Sequence, residues 1–379
     1  MMLPRSKYFI LLSISIFLFS LFQFLPSTTP SLTRSPYSAP KKKPVHLLVV
    51  SSWRSGSSFL GQIFNHHGDV FYLFEPGHSV WMKLRGESLE LLHYPLRDLL
   101  RSLFTCDVSP LQQYLPKGGK YISEMGFFAE SRALCTPPAC SAFLPSEGYD
   151  RLSCYHRCKN TLLDKMAETC KAYSHVVMKT VRILDLSVLL PLFRDPNLDL
   201  RILHLVRDPR AIALSKAYFP LQIEDRIVLK NEENTNITIS RVMEKICRSQ
   251  VDINSVPKAA EVLKGRYLAI RHEDLANEPL KNVKKIYNFA GLQPTKDLEQ
   301  WIYNITHKEV ADYKGFMTFS RDSSKTVQRW RTALGFSFVN QIQEKCKAAM
   351  DLFGYRPAKS QKEQKNLTLE LVKKDWSLE

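Results

Sequence analysis

The chain has 379 residues, with 53 Lys and Arg against 37 Asp and Glu, a formal net charge of +16. A hydrophobic share of 44% excludes a disordered chain, and the length suffices for one large domain with insertions. The basic surplus suits a polyanionic ligand. No zinc-finger, basic-zipper or RNA-recognition pattern accompanies it, so nucleic acid is not the expected partner.

Residues 1–7 carry Arg5 and Lys7 ahead of Tyr8–Leu25, a stretch that is apolar apart from small hydroxyls and Gln23. As a helix it spans roughly 27 Å, enough for a thin bilayer. Gln23-Phe24-Leu25-Pro26 supplies no small-x-small cleavage site, and leading bases favour a cytoplasmic N-terminus. The reading is a type II signal anchor: tail 1–7, transmembrane helix 8–25, a Pro/Ser/Thr/Lys stem 26–43, and a lumenal domain 44–379.

Val45–Val50 reads as a buried parallel strand, followed by Trp53-Arg54-Ser55-Gly56-Ser57-Ser58-Phe59 and a helix beginning near Phe59. A hydroxyl-rich turn from strand to helix aims backbone N–H groups at one spot, where the helix N-terminus favours an anion. The Gly-x-x-x-x-Gly-Lys-Ser/Thr spacing is absent and no Lys follows Gly56; the basic residue, Arg54, precedes it. A nucleotide kinase, which needs that Lys and a metal-holding acid, is the weaker alternative.

Val70–Phe74 is the next strand, with Glu75-Pro76 at its end, and a helix is expected over Leu89–Phe104. Glu75 is the candidate general base, on the expectation that burial beneath aromatics raises its pKa. Glu124 and His78 are the substitutes. Cys135, Cys140, Cys154 and Cys158 crowd around Pro137-Pro138, which points to a disulfide-stapled excursion. Cys106, Cys170, Cys247 and Cys346 bring the total to eight, with connectivity open. The spacings of structural zinc are missing, and no metal is expected.

Further helices are expected over Asn160–Tyr173, Arg241–Ile253 and Leu280–Ala290, with strands at His175–Lys179, Leu200–Val206 and Arg266–Ile270. Strands alternating with helices predict an α/β fold, a parallel sheet covered on both faces. Arg207-Asp208-Pro209-Arg210 follows the Leu200–Val206 strand, then Ala211, Ile212, Ala213, Leu214 and Ser215 enter a helix with Pro209 in its first turn. An Arg fork plus the Ser215 hydroxyl suits a phosphate monoester. Leu221–Asn236 reads as an irregular excursion and Lys359–Lys365 as a solvated stretch. Glu273 and Asp274 are expected to cap the turn after the last strand. Asn236, Asn304 and Asn366 begin N-glycosylation sequons.

Two of these segments, with Phe71–Pro76, Ser131–Cys135 and Trp301–His307, resemble the Golgi carbohydrate sulfotransferases of the N-acetylglucosamine 6-O-sulfotransferase group, intestinal and corneal members nearest. The resemblance implies a P-loop-like sulfotransferase fold and transfer of sulfuryl from 3′-phosphoadenosine 5′-phosphosulfate (PAPS) to the C6 hydroxyl of N-acetylglucosamine on glycans. It implies that residues 53–59 hold the 5′-phosphosulfate, Arg54 being catalytic as well, and that residues 207–215 hold the 3′-phosphate. It also implies a Golgi membrane protein acting on keratan, mucin-type or N-glycan chains, and leaves room for a homo-oligomer. Ser320–Lys325 with Arg329-Trp330-Arg331 resembles a segment that folds over the nucleotide. A non-catalytic glycan-binding protein is the other alternative.

Overall fold

Five strands form where the apolar runs stand: β1 Val45–Ser51, β2 Val70–Phe74, β3 His175–Thr180, β4 Asp199–Val206 and β5 Tyr267–Arg271. All pairings are parallel, in the order β2-β3-β1-β4-β5. The structure is a computed structural model that describes residues 43–116, 119–141, 143, 150–230, 236–306 and 323–376. The expected tail, anchor and nearly all of the stem, with His307 and Ser320–Asp322, lie outside the described residues. No helix among the described residues is long and apolar enough to cross a membrane.

The helices that matter for the site are α1 Ser57–Asn65, α2 His78–Lys83, α3 Leu89–Phe104, α4 Leu163–Cys170, α5 Pro209–Tyr218, α6 Gln222–Val228, α7 Ile239–Ala259, α8 His272–Asn277, α9 Pro279–Ala290, α10 Lys296–Thr306 and α11 Phe336–Lys345. Side chains alternate across the sheet. Leu48 and Val50 of β1 join Leu96, Leu99 and Leu103 of α3 on one face. Leu47 and Val49 join Leu60 and Phe64 of α1 and Ile286 of α9 on the other. Both faces are therefore dry, which is why the strands read as unbroken apolar runs.

Two expectations need correction. Leu221–Asn236 is not irregular throughout, because Ile227 and Val228 pack into the core and fold α6. Lys359–Lys365 contains a short helix, Gln361–Lys365, whose Gln364 is buried and bonded to the Arg331 and Leu334 carbonyls.

All eight cysteines pair: Cys106–Cys170, Cys135–Cys154, Cys140–Cys158 and Cys247–Cys346. The middle two staple the excursion anticipated around Pro137-Pro138. The last ties α7 to the end of α11.

The chain leaves β1 through α1 on one face. It leaves β4 through α5 and α7, and α7 contributes Ile253 to the core on the opposite face. β1 and β4 are neighbours whose connections diverge, which makes their carboxyl ends the topological switch point where open α/β sheets bind ligands.

Candidate functional site

The turn after β1 is built to expose backbone. Arg54 adopts φ 69° and Gly56 φ 86°, and Gly56 starts α1 without a side-chain cap. The first amides of the helix are thus left for an anion. A Cβ on Gly56 would stand 2.4 Å from the His272 ring, so glycine is required by space as well as by φ. Beneath the turn, the hydroxyls of Ser52 and Ser55 bond at 2.6 Å, and Gln250 Nε2 donates to Ser52 Oγ at 3.1 Å. Ser55 is fully buried, Ser57 nearly so, and Ser58 half-buried. Ser55 therefore pins the turn. Trp53 packs on Trp81 with ring centroids 5.5 Å apart, and half-buried Phe59 packs on the α1-side core.

The second segment meets the first directly. Arg207 Nη1 donates to the Arg54 carbonyl at 2.9 Å, and Arg54 Nε donates to Ser215 Oγ at 2.8 Å. The Arg54 guanidinium lies 4.9 Å from the Phe219 ring centroid. The residues between serve the scaffold. Asp208 caps α5 by accepting from the Arg210 amide, and Pro209 opens the helix. Arg210 is fully buried between Asp208, Gln343 and the Arg356 carbonyl, 4.1 Å from the Trp330 ring centroid. Ala211 and Leu214 pack beside Trp330, while Ile212 and Ala213 enter the core with Trp53. Within residues 207–215, then, Arg207 and Ser215 reach Arg54, and the others hold the helix that carries them.

Glu273 fixes this loop rather than capping α8 alone: its oxygens accept from the Asp208 amide at 3.0 Å and the Tyr355 hydroxyl at 2.8 Å. Burial, reinforced by nearby Asp208, raises its pKa. Asp274 pairs with Arg271.

Glu75 stands at the end of β2 with φ 46°, an uncommon conformation for a residue with a side chain. Arg54 and Glu75 are two of the three described non-glycine residues with positive φ, and both leave the same edge of the sheet. Such strain gathers at working sites. The expected upward pKa shift of Glu75 is wrong. Burial alone would raise it, but Lys179 at the end of β3 and Arg182 just beyond bond its two oxygens and hold it at about 2. Arg182 also contacts Glu224 of α6 at 3.3 Å. Glu75 is thus an ionised, fixed carboxylate.

Lys179 and Arg182 were missed from sequence. Lys179 looked like the polar end of an apolar run, yet it is fully buried and in register with Val49 of β1. Of the substitutes, Glu124 binds the Lys120 and Tyr121 amides of its own turn. His78 lies edge-on to Phe127 at 5.1 Å, its pKa lowered by burial and then by Arg182. Asn236, Asn304 and Asn366 are all exposed.

A polyphosphate fits the switch point. Arg207 Nε is buried with no partner among the described residues, Arg54 and Ser215 face each other across the crevice, and the α1 N-terminus is uncapped. Three convergent donors around an uncapped helix start make an anion-binding crevice at the edge of an α/β sheet.

A sulfotransferase-domain profile matches residues 44–354, and the chain belongs to the sulfotransferase family. It is 45% identical to human carbohydrate sulfotransferase 6 over 336 residues, 86% of this chain and 85% of that protein. It is 44% identical to human carbohydrate sulfotransferase 5, covering 86% of this chain and 82% of that protein. Mouse carbohydrate sulfotransferase 5 is 40% identical over 98% of this chain and 95% of that protein. The protein is a carbohydrate sulfotransferase by family, so PAPS is its donor and a glycan its acceptor. The group resemblance drawn from its motifs is borne out.

Proposed function

We propose that this enzyme transfers sulfuryl from PAPS to the C6 hydroxyl of N-acetylglucosamine residues on keratan, mucin-type or N-linked chains. The observation that carries the reading is the meeting of Arg54, Arg207 and Ser215 at the β1–β4 switch point in a chain of this family. Arg207 and Ser215 are assigned to the 3′-phosphate. The Gly56–Ser58 amides and Arg54 are assigned to the 5′-phosphosulfate, which supplies the group transferred. Arg54 is permanently charged, so it stabilises negative charge growing on the leaving phosphate oxygen and does not donate a proton.

Glu75 is assigned as proton acceptor. Its two cations keep it ionised and oriented, at the expense of basicity. Negative charge brought to the same sheet edge by the donor leaves the two ion pairs intact and acts on the carboxylate through space, which raises its proton affinity. The proposal includes a type II Golgi anchor at residues 8–25, a lumenal body and glycans on the three sequons, in keeping with four disulfides.

The test is a labelled-PAPS assay of the full chain on keratan, mucin-core and N-glycan acceptors, with the product's sulfate position determined. Label at C6 of N-acetylglucosamine is expected. Label on galactose or on another carbon overturns the assignment.

A further inference from the structure

A cleft of about 840 Å³ lies between α3 and α7, floored by the Leu184–Pro191 segment that follows β3. From Leu89 to Arg97 along α3 it runs roughly 12 Å, the reach of a short oligosaccharide. Its volume falls within the usual range for small-molecule sites, about 300–1,000 Å³. Two of its lining residues, Leu184 and Ser249, connect the cleft to the proposed reaction centre. Leu184 is two residues past Arg182, and α7 holds Leu184 in place through Ser249 Oγ, which donates to its carbonyl at 2.6 Å. Leu184 and Ser249 also line the small void under Ser51, Ser52 and Trp53, so the cleft and the phosphosulfate turn share a wall.

The lining states the chemistry of the occupant. Arg97, Lys245 and Arg248 are balanced by Glu90, Asp185 and Asp252. Net charge therefore selects neither an anion nor a cation. What remains, with Arg97 already bonded to Asp98, is a set of carboxylates, an ammonium and the Arg248 guanidinium, groups that match hydroxyl donors and acceptors. Among them Tyr94 lines the cleft and is 53% exposed even with the Arg97 guanidinium over its ring, 5.5 Å from the centroid. An aromatic ring amid hydrogen-bonding groups suits pyranose rings, whose C–H faces are apolar and whose rims are hydroxylated.

We infer that this cleft is an extended acceptor subsite, holding neutral sugar residues of the glycan beyond the one that receives sulfate. The inference rests on the glycan-acceptor reading above and adds where the rest of the chain lies. The reacting sugar sits at the β-strand edge, and the sugars attached to it run down between α3 and α7 past Tyr94 and Arg248.

The experiment compares wild type, Tyr94→Ala and Arg248→Ala on two acceptors: the methyl glycoside of N-acetylglucosamine and a neutral linear tetrasaccharide ending in the same sugar. Both side chains are exposed, so the variants should fold normally. Each is expected to raise KM for the tetrasaccharide roughly tenfold, leaving kcat and the methyl-glycoside KM unchanged. Equal effects on both acceptors, or none on either, overturn the inference. Calorimetry of the tetrasaccharide on the full chain without turnover reads the cleft separately: wild-type binding weakened by Tyr94→Ala supports it, and no wild-type binding overturns it. Wild type that binds the tetrasaccharide in the cleft but sulfates neither acceptor leaves the cleft standing and defeats the reaction reading instead.

Discussion

At the β1–β4 half of the sheet's edge, Arg54 and Arg207 donate to a hydroxyl and a carbonyl. At the β2–β3 half, Lys179 and Arg182 close on the carboxylate of Glu75, and Arg182 reaches Glu224 as well. A bond to a neutral acceptor is readily exchanged for one to phosphate, which is about twice as strong. A buried ion pair is not, since parting it strands a charge in a dry interior. The first half is arranged to take up an anion from solution, and the second holds its charge ready-paired and rigid. On the proposed assignment, donor binding and proton transfer are therefore separable by mutation.

Glu75→Gln should show the largest effect. Turnover is expected to fall roughly 10²–10⁴-fold, measured per mole of folded, donor-competent protein. Stability should fall too, because Gln leaves Lys179 without its bonded carboxylate and Arg182 with Glu224 alone. Donor affinity should stay close to wild type. Near-normal turnover in the folded variant would remove Glu75 from catalysis and leave it a structural counter-ion.

Arg207→Ala strikes the other half. Loss of a charge-assisted contact of about 1.5–3 kcal/mol corresponds to a roughly 10–150-fold loss of donor affinity. Calorimetry with the 3′,5′-bisphosphate nucleotide reads it directly. Arg54→Ala should lower turnover as well as affinity. Unchanged affinity in a folded Arg207→Ala protein would sink the 3′-phosphate assignment.

The two turns that meet at the β1–β4 edge were legible in sequence and the Lys179–Arg182 pairing with Glu75 was not, for a physical reason. Arg54 and Arg207 each belong to a local pattern of strand, turn and helix start, in which Gly56 and Pro209 mark the geometry. The five strands were legible because sheets buried on both faces need continuous apolar runs. Lys179 and Arg182 carry no such local mark. Their partner Glu75 lies more than 100 residues away, and only the parallel pairing of β2 with β3 brings it near. For Glu75 itself, position was readable, but the sign of its pKa shift depended on those two unseen cations. Arg210 misled in the opposite direction: it shares the motif with Arg207, yet the folded chain spends it on Asp208 and Trp330.

An acid titration sharpens the comparison. Glu75 is held at about 2, below its ordinary 4.5, so its pairing stabilises the fold fully above pH 4.5 and is lost as pH falls toward 2. Wild type should therefore lose stability across that window more steeply than Glu75→Gln, as followed by urea unfolding at fixed pH steps. Parallel curves for the two proteins would mean that the ion pair contributes nothing to the fold.

The smallest effect, and the one that best tests how the two donor segments cooperate, is expected from Ser215→Ala. Its hydroxyl accepts from Arg54 Nε at 2.8 Å while belonging to the segment assigned to the 3′-phosphate. Losing one bond between a neutral hydroxyl and a charged group should cost about 1.5 kcal/mol, the low end for such bonds and roughly a tenfold change. Two sources for that loss can be told apart with adenosine 5′-phosphosulfate, which lacks the 3′-phosphate. If Ser215 holds that phosphate directly, the variant should weaken PAPS binding and leave the weaker binding of the truncated donor unaltered. If it acts only by steadying Arg54 against the 5′ end, both donors should suffer equally and turnover should fall with them. The structure favours the first outcome, because Arg54 keeps the Phe219 ring and its own fixed backbone when the hydroxyl is gone. An equal penalty on the two donors would move Ser215 from the 3′-phosphate site to the support of Arg54.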